Sequence, residues 1–175
     1  MTQIKKLLLS SVAACAIATS ANAGIYLGQT EMSIGSSSET GTTVGLTTKS
    51  NSDTGSLYTG FDLAYTQMGL DDYDGDSTMD LIEVNFKLGL NITSQISVYG
   101  IGSAAYQDTT TDAANDAGLS DSYGVGFGAG VELSISDSIS IKAEQKSYSM
   151  EADYDNNTAW EYDMDTTTVA LVLTF

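Results

Sequence analysis

The chain contains no histidine and no proline, and its single cysteine, Cys15, falls near the amino terminus. Without histidine, the Ser-His and Asp-His machineries of many lipases, deacylases and proteases cannot be assembled. Without proline, strands can run long with every backbone N–H free to donate. Long apolar runs are missing too, and no window resembles a transmembrane helix. Basic residues are few, with six Lys and Arg against 23 Asp and Glu. That balance excludes nucleic acid or an anionic lipid surface as the main partner.

Residues 1–23 read as a secretory signal. Lys5 and Lys6 form the charged region, Leu7 to Ala18 the apolar stretch, and Ala21-Asn22-Ala23 the small-residue cleavage site. The apolar run is short and broken by Ser10 and Ser11. A second processing site is present, because Val12-Ala13-Ala14-Cys15 resembles the lipobox of bacterial lipoproteins. The apolar stretch continues past it through Ala16, Ile17 and Ala18, which favours cleavage after Ala23 over lipidation at Cys15. Such cleavage leaves one domain, residues 24–175, with no thiol, no disulfide and a formal charge of −19 from four lysines and 23 acids.

Apolar and polar residues alternate with the period of a strand. In 82–92, Ile82, Val84, Phe86, Leu88, Leu90 and Ile92 share one face, and Glu83, Asn85, Lys87, Gly89 and Asn91 the other. In 123–135, Tyr123, Val125, Phe127, Ala129, Val131, Leu133 and Ile135 oppose Gly124, Gly126, Gly128, Gly130, Glu132 and Ser134. Both segments exceed the ~9–11 residues that a tilted strand needs to cross a hydrocarbon layer. Weaker alternation predicts strands at 57–67, 95–106 and 139–149. A first strand is predicted over 24–34, with Tyr26, Met32 and Ile34 opposite Gln29, Glu31 and Ser33, and a short second strand over 42–49. The register of residues 35–56 stays open. The eighth segment, Thr167 to Phe175, places Val169, Leu171, Leu173 and Phe175 on one apolar face and ends on an aromatic.

Eight strands suit an antiparallel up-and-down barrel with both ends on one side. The links after strands two, four and six are short and hold only Asp53 and Asp137. The other four are expected to hold Glu39, Asp71, Asp72, Asp74, Asp76, Asp80, Asp108, Asp112, Asp116, Asp121, Glu151, Asp153, Asp155, Glu161, Asp163 and Asp165. Alternation alone does not say which face is inside, since a soluble binding barrel and a membrane barrel differ by turning every strand over. The polar faces decide it. They carry small residues with Glu31, Asp62, Glu83, Glu132 and Glu144 set against Lys87, Lys142 and Lys146. This mixture fits a narrow interior filled by an ion-pair network, because buried charges need partners.

On these residues the chain resembles the small bacterial outer-membrane β-barrels of the porin family, of the eight-stranded OmpA transmembrane-domain, OmpX and opacity-protein plan. The resemblance implies an all-β transmembrane barrel in the bacterial outer membrane, in contact with outer-membrane lipid and lipopolysaccharide. It also implies a carboxy-terminal insertion signal (Val169, Leu171, Leu173, Phe175) read by the barrel-assembly machinery. A structural or surface-interaction role follows, with a filled polar interior and acidic extracellular loops. A narrow cation-preferring channel and a soluble exported binder remain as alternatives.

Other motifs carry less. Asp72-Tyr73-Asp74-Gly75-Asp76-Ser77-Thr78-Met79-Asp80 and the following residues to Glu83 nearly match a calcium-binding loop. The sharp-turn position is Ser77 rather than Gly and the flanks read as strands, so Asp72, Asp74, Asp76 and Asp80 form at most a weak site for divalent cations. The Gly124 to Gly128 run fits a loose dinucleotide fingerprint but lies inside a strand. Its glycines are expected to make room for larger neighbours such as Tyr99. Trp160, Tyr154 and Tyr162 are expected in an interfacial aromatic girdle rather than a carbohydrate patch. No catalytic residue and no cofactor are expected.

Overall fold

A computed structural model describes residues 22–52, 55–69, 78–110, 119–154 and 159–175. They form β1 (Asn22–Ile34), β2 (Ser37–Asn51), β3 (Leu57–Gly69), β4 (Thr78–Asn91), β5 (Ile96–Thr110), β6 (Leu119–Ser136), β7 (Ile139–Tyr154) and β8 (Ala159–Thr174). Each strand pairs antiparallel with the next, and β8 closes on β1. The seam is finished by the Phe175 amide donating to the Ala23 carbonyl at 2.9 Å. Residues 1–21, Cys15 included, lie outside the described residues, and Asn22 and Ala23 begin β1.

The registers set the shape. Passing from Gly24 across the ladders through Thr47, Asp62, Asn85, Ser103, Gly126, Tyr148 and Met164 returns to Ile34, ten residues farther along β1. Strands in such a barrel are strongly tilted and the interior is just wide enough for side chains to fill. The apolar faces point outward. Phe127, Val125, Phe86 and Leu88 are among the most exposed large hydrophobics, at 75%, 69%, 57% and 57%. The polar faces point inward, where Asp62, Glu83, Asn85, Lys87, Lys142, Glu144 and Lys146 are buried. Water cannot be the solvent of that outer wall, since an exposed apolar belt of this extent is a membrane or partner surface.

Several segments differ from the sequence expectation. On β1 the apolar residues divide between the faces: Tyr26 and Met32 are buried inside while Ile25 and Leu27 point out. Glu31 therefore stands on the outer wall, exposed, where it accepts a 2.8 Å hydrogen bond from Ser38; it is not part of the interior network. The link after β1 is only Gly35-Ser36, with Gly35 at φ 60°, because β2 starts at Ser37 and pairs with β1 along its length. Glu39 thus lies on a strand opposite Met32 rather than in a loop. The doubtful region 35–56 resolves into that tight turn, a 15-residue β2, and a link in which Gly55 takes φ 72°. At the end away from the chain termini the strands run past the apolar belt. Asp80, Asp108, Asp121, Glu151, Asp153, Glu161, Asp163 and Asp165 consequently lie on strands as well.

Candidate functional site

The feature that could carry function is the barrel interior, and alternation along β3, β4 and β7 delivers its charges. Asp62 comes from β3, Glu83 and Lys87 from β4, and Lys142, Glu144 and Lys146 from β7, all on inward positions. Lys87 Nζ lies 2.5 Å from Asp62 Oδ2 and 2.6 Å from Glu144 Oε1. Lys142 Nζ lies 2.7 Å and 3.3 Å from the same two oxygens. Two ammonium groups and two carboxylates thus alternate around a compact square. Lys146 pairs separately with Glu83 at 2.6 Å. Three lysines balance three acids, which is what burial at a few per cent exposure requires, since an unpaired charge there is costly.

Neutral donors complete the network. Tyr99 Oη donates to Glu144 at 2.8 Å, Thr47 Oγ1 to Asp62 at 2.6 Å, and Tyr148 Oη to Glu83. Ser103 links Tyr148, at 2.7 Å, to Asn85. A chain of threonine hydroxyls, Thr168, Thr30, Thr43 and Thr66, crosses the inner faces of β8, β1, β2 and β3 at 2.6–2.8 Å. The lysine heads also lie over aromatic faces, Lys142 at 3.3 Å from the Tyr26 ring centre and Lys87 at 4.7 Å from that of Tyr99. Each of Asp62, Glu83 and Glu144 is engaged by an ammonium, so none stands as a free base for acid–base chemistry.

Four buried tyrosines share one local design. Tyr26, Tyr58, Tyr99 and Tyr148 stand directly across a ladder from Gly45, Gly89, Gly130 and Gly126. A β-carbon added to those glycines would lie 2.2–2.5 Å from the facing ring. The glycines are therefore seats on which the rings lie. The glycines of the Gly124–Gly128 run do make room for larger neighbours, Met150, Tyr148 and Lys146, whereas Tyr99 lies on Gly130 just beyond it.

Above the charges, toward the end away from the termini, lies a layer that the sequence reading did not identify. Met32, Met68, Met79, Leu81, Ala105, Tyr148, Met150 and Met164 form one buried cluster, with Ile34 and Tyr162 against it. Every methionine after Met1 is in it. Parity was the available signal, since Met68 shares the face of Asp62, Met79 that of Glu83, and Met150 that of Lys146. At the opposite end, Lys49 and Glu132 line an open cavity of about 590 Å³ together with Thr47, Ser97 and Ser134. Lys49 donates to Ser97 at 3.1 Å and lies over the Tyr58 ring, and Glu132 accepts from Ser140 at 3.0 Å. Glu132 is half-buried at this mouth, directly across the ladder from Lys142.

The remaining candidates are dispersed. Val169, Leu171, Leu173 and Phe175 all face outward on the last strand. Asp72, Asp74 and Asp76 lie outside the described residues. Asp80 is on the outer wall, accepting from Tyr65 at 2.8 Å and Gln67 at 3.3 Å. The girdle expectation for Trp160 and Tyr162 needs correction. Both occupy inward positions of β8 at the mouth away from the termini, Tyr162 against the methionine layer, with ring centres 5.6 Å apart. The described outward-facing tyrosines are instead Tyr65, Tyr106 and Tyr123.

Comparison with known proteins agrees with this architecture. Residues 6–175 match the family described as the outer membrane protein beta-barrel domain. No curated protein matches the chain in sequence. Among solved structures, neisserial surface protein A superposes with a TM-score of 0.61 at 14% identity, covering 88% of this chain and 96% of its own. Ail, the attachment invasion locus protein of Yersinia pestis, gives 0.54 at 15% identity, covering 90% and 100%. The outer-membrane enzyme PagL gives 0.52 at 14% identity, covering 87% and 99%. At these identities the likeness is one of fold.

Proposed function

The chain belongs to the outer membrane protein β-barrel domain family, and on that premise we propose that it is a non-enzymatic surface barrel whose interior is blocked by its own side chains. The observation that carries this reading is the buried, charge-balanced set of Asp62, Glu83, Lys87, Lys142, Glu144 and Lys146 spanning the lumen. A permeating ion would have to break pairs whose separation leaves charges unpaired in a dry interior, at several kcal/mol each. The methionine layer adds an apolar barrier above them. Each carboxylate in that arrangement is held by an ammonium, so none is free to activate the hydroxyls beside it.

The acids that crowd the strand ends away from the termini, Asp108, Asp121, Glu151, Glu161, Asp163 and Asp165 among them, would then face the medium, while the short links face the periplasm. Their role is contact with cationic or cation-bridged surfaces, including divalent ions shared with lipopolysaccharide phosphates. Insertion would be directed by the barrel-assembly machinery through Phe175 and the apolar face behind it, after export and removal of the amino-terminal signal. A narrow cation-preferring channel is the competing reading, favoured by the acidic rim. Single-channel recording of refolded protein in planar bilayers separates the two. The blocked barrel gives no reproducible conductance; steps of uniform size with cation preference would overturn it.

A further inference from the structure

The apolar belt around the outer wall is far from even in height. On β6, seven outward positions from Ile135 to Tyr123 are apolar or aromatic, and on β4 six from Ile92 to Ile82. On β8 there are four, Phe175 to Val169; on β7 three, Ile139, Ile141 and Ala143; on β1 only Ile25 and Leu27. Above these the same outward faces continue as Thr167, Asp165, Asp163 and Glu161 on β8, Gln145, Ser147 and Ser149 on β7, Gln29 and Glu31 on β1, and Thr42 and Thr40 on β2. At ~3.3 Å per residue and ~45° tilt, Ile82–Ile92 spans roughly 23 Å and Val169–Phe175 roughly 14 Å. A bilayer-matched barrel presents a band of ~25 Å.

The polar stretch does not merely reflect strand stagger. Followed in strand order, the ladders climb by about one and a quarter residues per strand relative to a horizontal level, the ten-residue closure shared over the barrel. Corrected for that, Gln29, Gln145 and Thr167 stand at the height of Val84, Ala104 and Phe127 on the far wall. The outward tyrosines mark the same slope. Tyr65, Tyr106 and Tyr123 sit on β3, β5 and β6 at the upper border of the tall side, where amphipathic rings settle at the headgroup level.

We propose that the barrel thins the outer leaflet along its β7–β8–β1–β2 side, where the hydrated headgroup layer descends by roughly 9 Å against a polar wall. This rests on the membrane reading above. A second copy does not fit this wall, because Glu31, Glu161, Asp163 and Asp165 would meet their own kind and the four described lysines all lie on inward positions. The wall is also internally bonded, with Ser38 donating to Glu31 at 2.8 Å, Ser33 to Ser38 at 3.3 Å and Ser147 to Asp165 at 2.5 Å. Its groups are arranged for water rather than for the donors of a partner.

Spin labels at Thr167→Cys and Ala104→Cys, each in a Cys15→Ser background, test this in phosphatidylcholine vesicles. The two sites are level, so their accessibility to oxygen and to a water-soluble nickel chelate compares the two walls directly. The expected result is an oxygen-favoured label at 104 and a several-fold nickel-favoured label at 167. Equal oxygen preference at both would overturn the inference. So would a label at 167 shielded from both reagents with spin coupling between molecules, which would mean a second copy covers the wall. Nickel access at both would overturn the membrane reading itself, and this inference with it. A second measurement uses acyl length. The wild type should fold in better yield into 12-carbon than 18-carbon bilayers, and Gln29→Leu/Gln145→Leu/Thr167→Leu should at least halve that ratio. An unchanged ratio would contradict the thinned leaflet.

Discussion

Replacing Lys87 with methionine probes the interior network at its centre. The ammonium sits between Asp62 at 2.5 Å and Glu144 at 2.6 Å, with both carboxylates essentially inaccessible. Methionine keeps the stem and fills similar space, so cavity formation contributes little. What remains is an interior holding three carboxylates against Lys142 and Lys146. Lys142 would then have to serve Asp62 at 2.7 Å and Glu144 at 3.3 Å alone. Leaving one buried charge uncompensated costs ~3–5 kcal/mol. The residual Lys142 contacts and the Tyr99 hydroxyl on Glu144 place the expected loss near the lower bound, about 3 kcal/mol, or roughly a hundredfold in the folding equilibrium. Adding Glu144→Gln restores charge balance, and most of the loss should return, an interaction that a double-mutant cycle isolates. The assay is reversible urea unfolding in lipid vesicles, followed by the difference in gel mobility between folded and unfolded barrel. A Lys87→Met midpoint equal to wild type, or a double variant no more stable than the single, would refute the reasoning.

Two further outcomes follow from the walls. Gly130→Val should destabilise by ~1–3 kcal/mol, as overpacking does, because its first side-chain carbon would stand 2.5 Å from the Tyr99 ring. The Gly130→Val/Tyr99→Leu pair should recover part of that in the same unfolding assay. Val84→Lys puts an ammonium on the tall lipid-facing wall and should cost ~2–4 kcal/mol in vesicle folding, whereas Thr40→Lys, high on the polar wall, should be nearly neutral.

The strands with a full belt were legible in the sequence because lipid demands apolar residues at every second position. Ile82 to Ile92 and Tyr123 to Ile135 therefore show the extent of the belt, although β4 and β6 each begin four residues earlier; their facing is set by the polar side, not by the alternation. Where the belt is short the signal failed, and for a physical reason. On β1 the inward Tyr26 and Met32 are as apolar as the outward Ile25 and Leu27, because an eight-stranded lumen needs bulky filling as much as the lipid face needs apolar cover. Hydrophobicity then says nothing about side, and Glu31, expected inside, stands on the outer wall. The strand extensions beyond the belt were hidden for the opposite reason. Asp163, Asp165 and Ser147 stand on a wall facing polar surroundings, so nothing forces alternation there. The central charges were readable, since lysines and acids sharing a polar face must meet across a narrow barrel. Which lysine meets which acid depends on the ten-residue closure, and that is a property of pairing rather than of any one strand.

The most direct test of the account is the behaviour of the protein recovered from the outer-membrane fraction on a denaturing gel, with and without boiling. An apolar-outside barrel held by a continuous ladder and a buried charge network should migrate as a compact band unheated and shift on boiling. A protein found in the soluble fraction, with one band unaffected by heat, would contradict it and would turn the apolar faces inward.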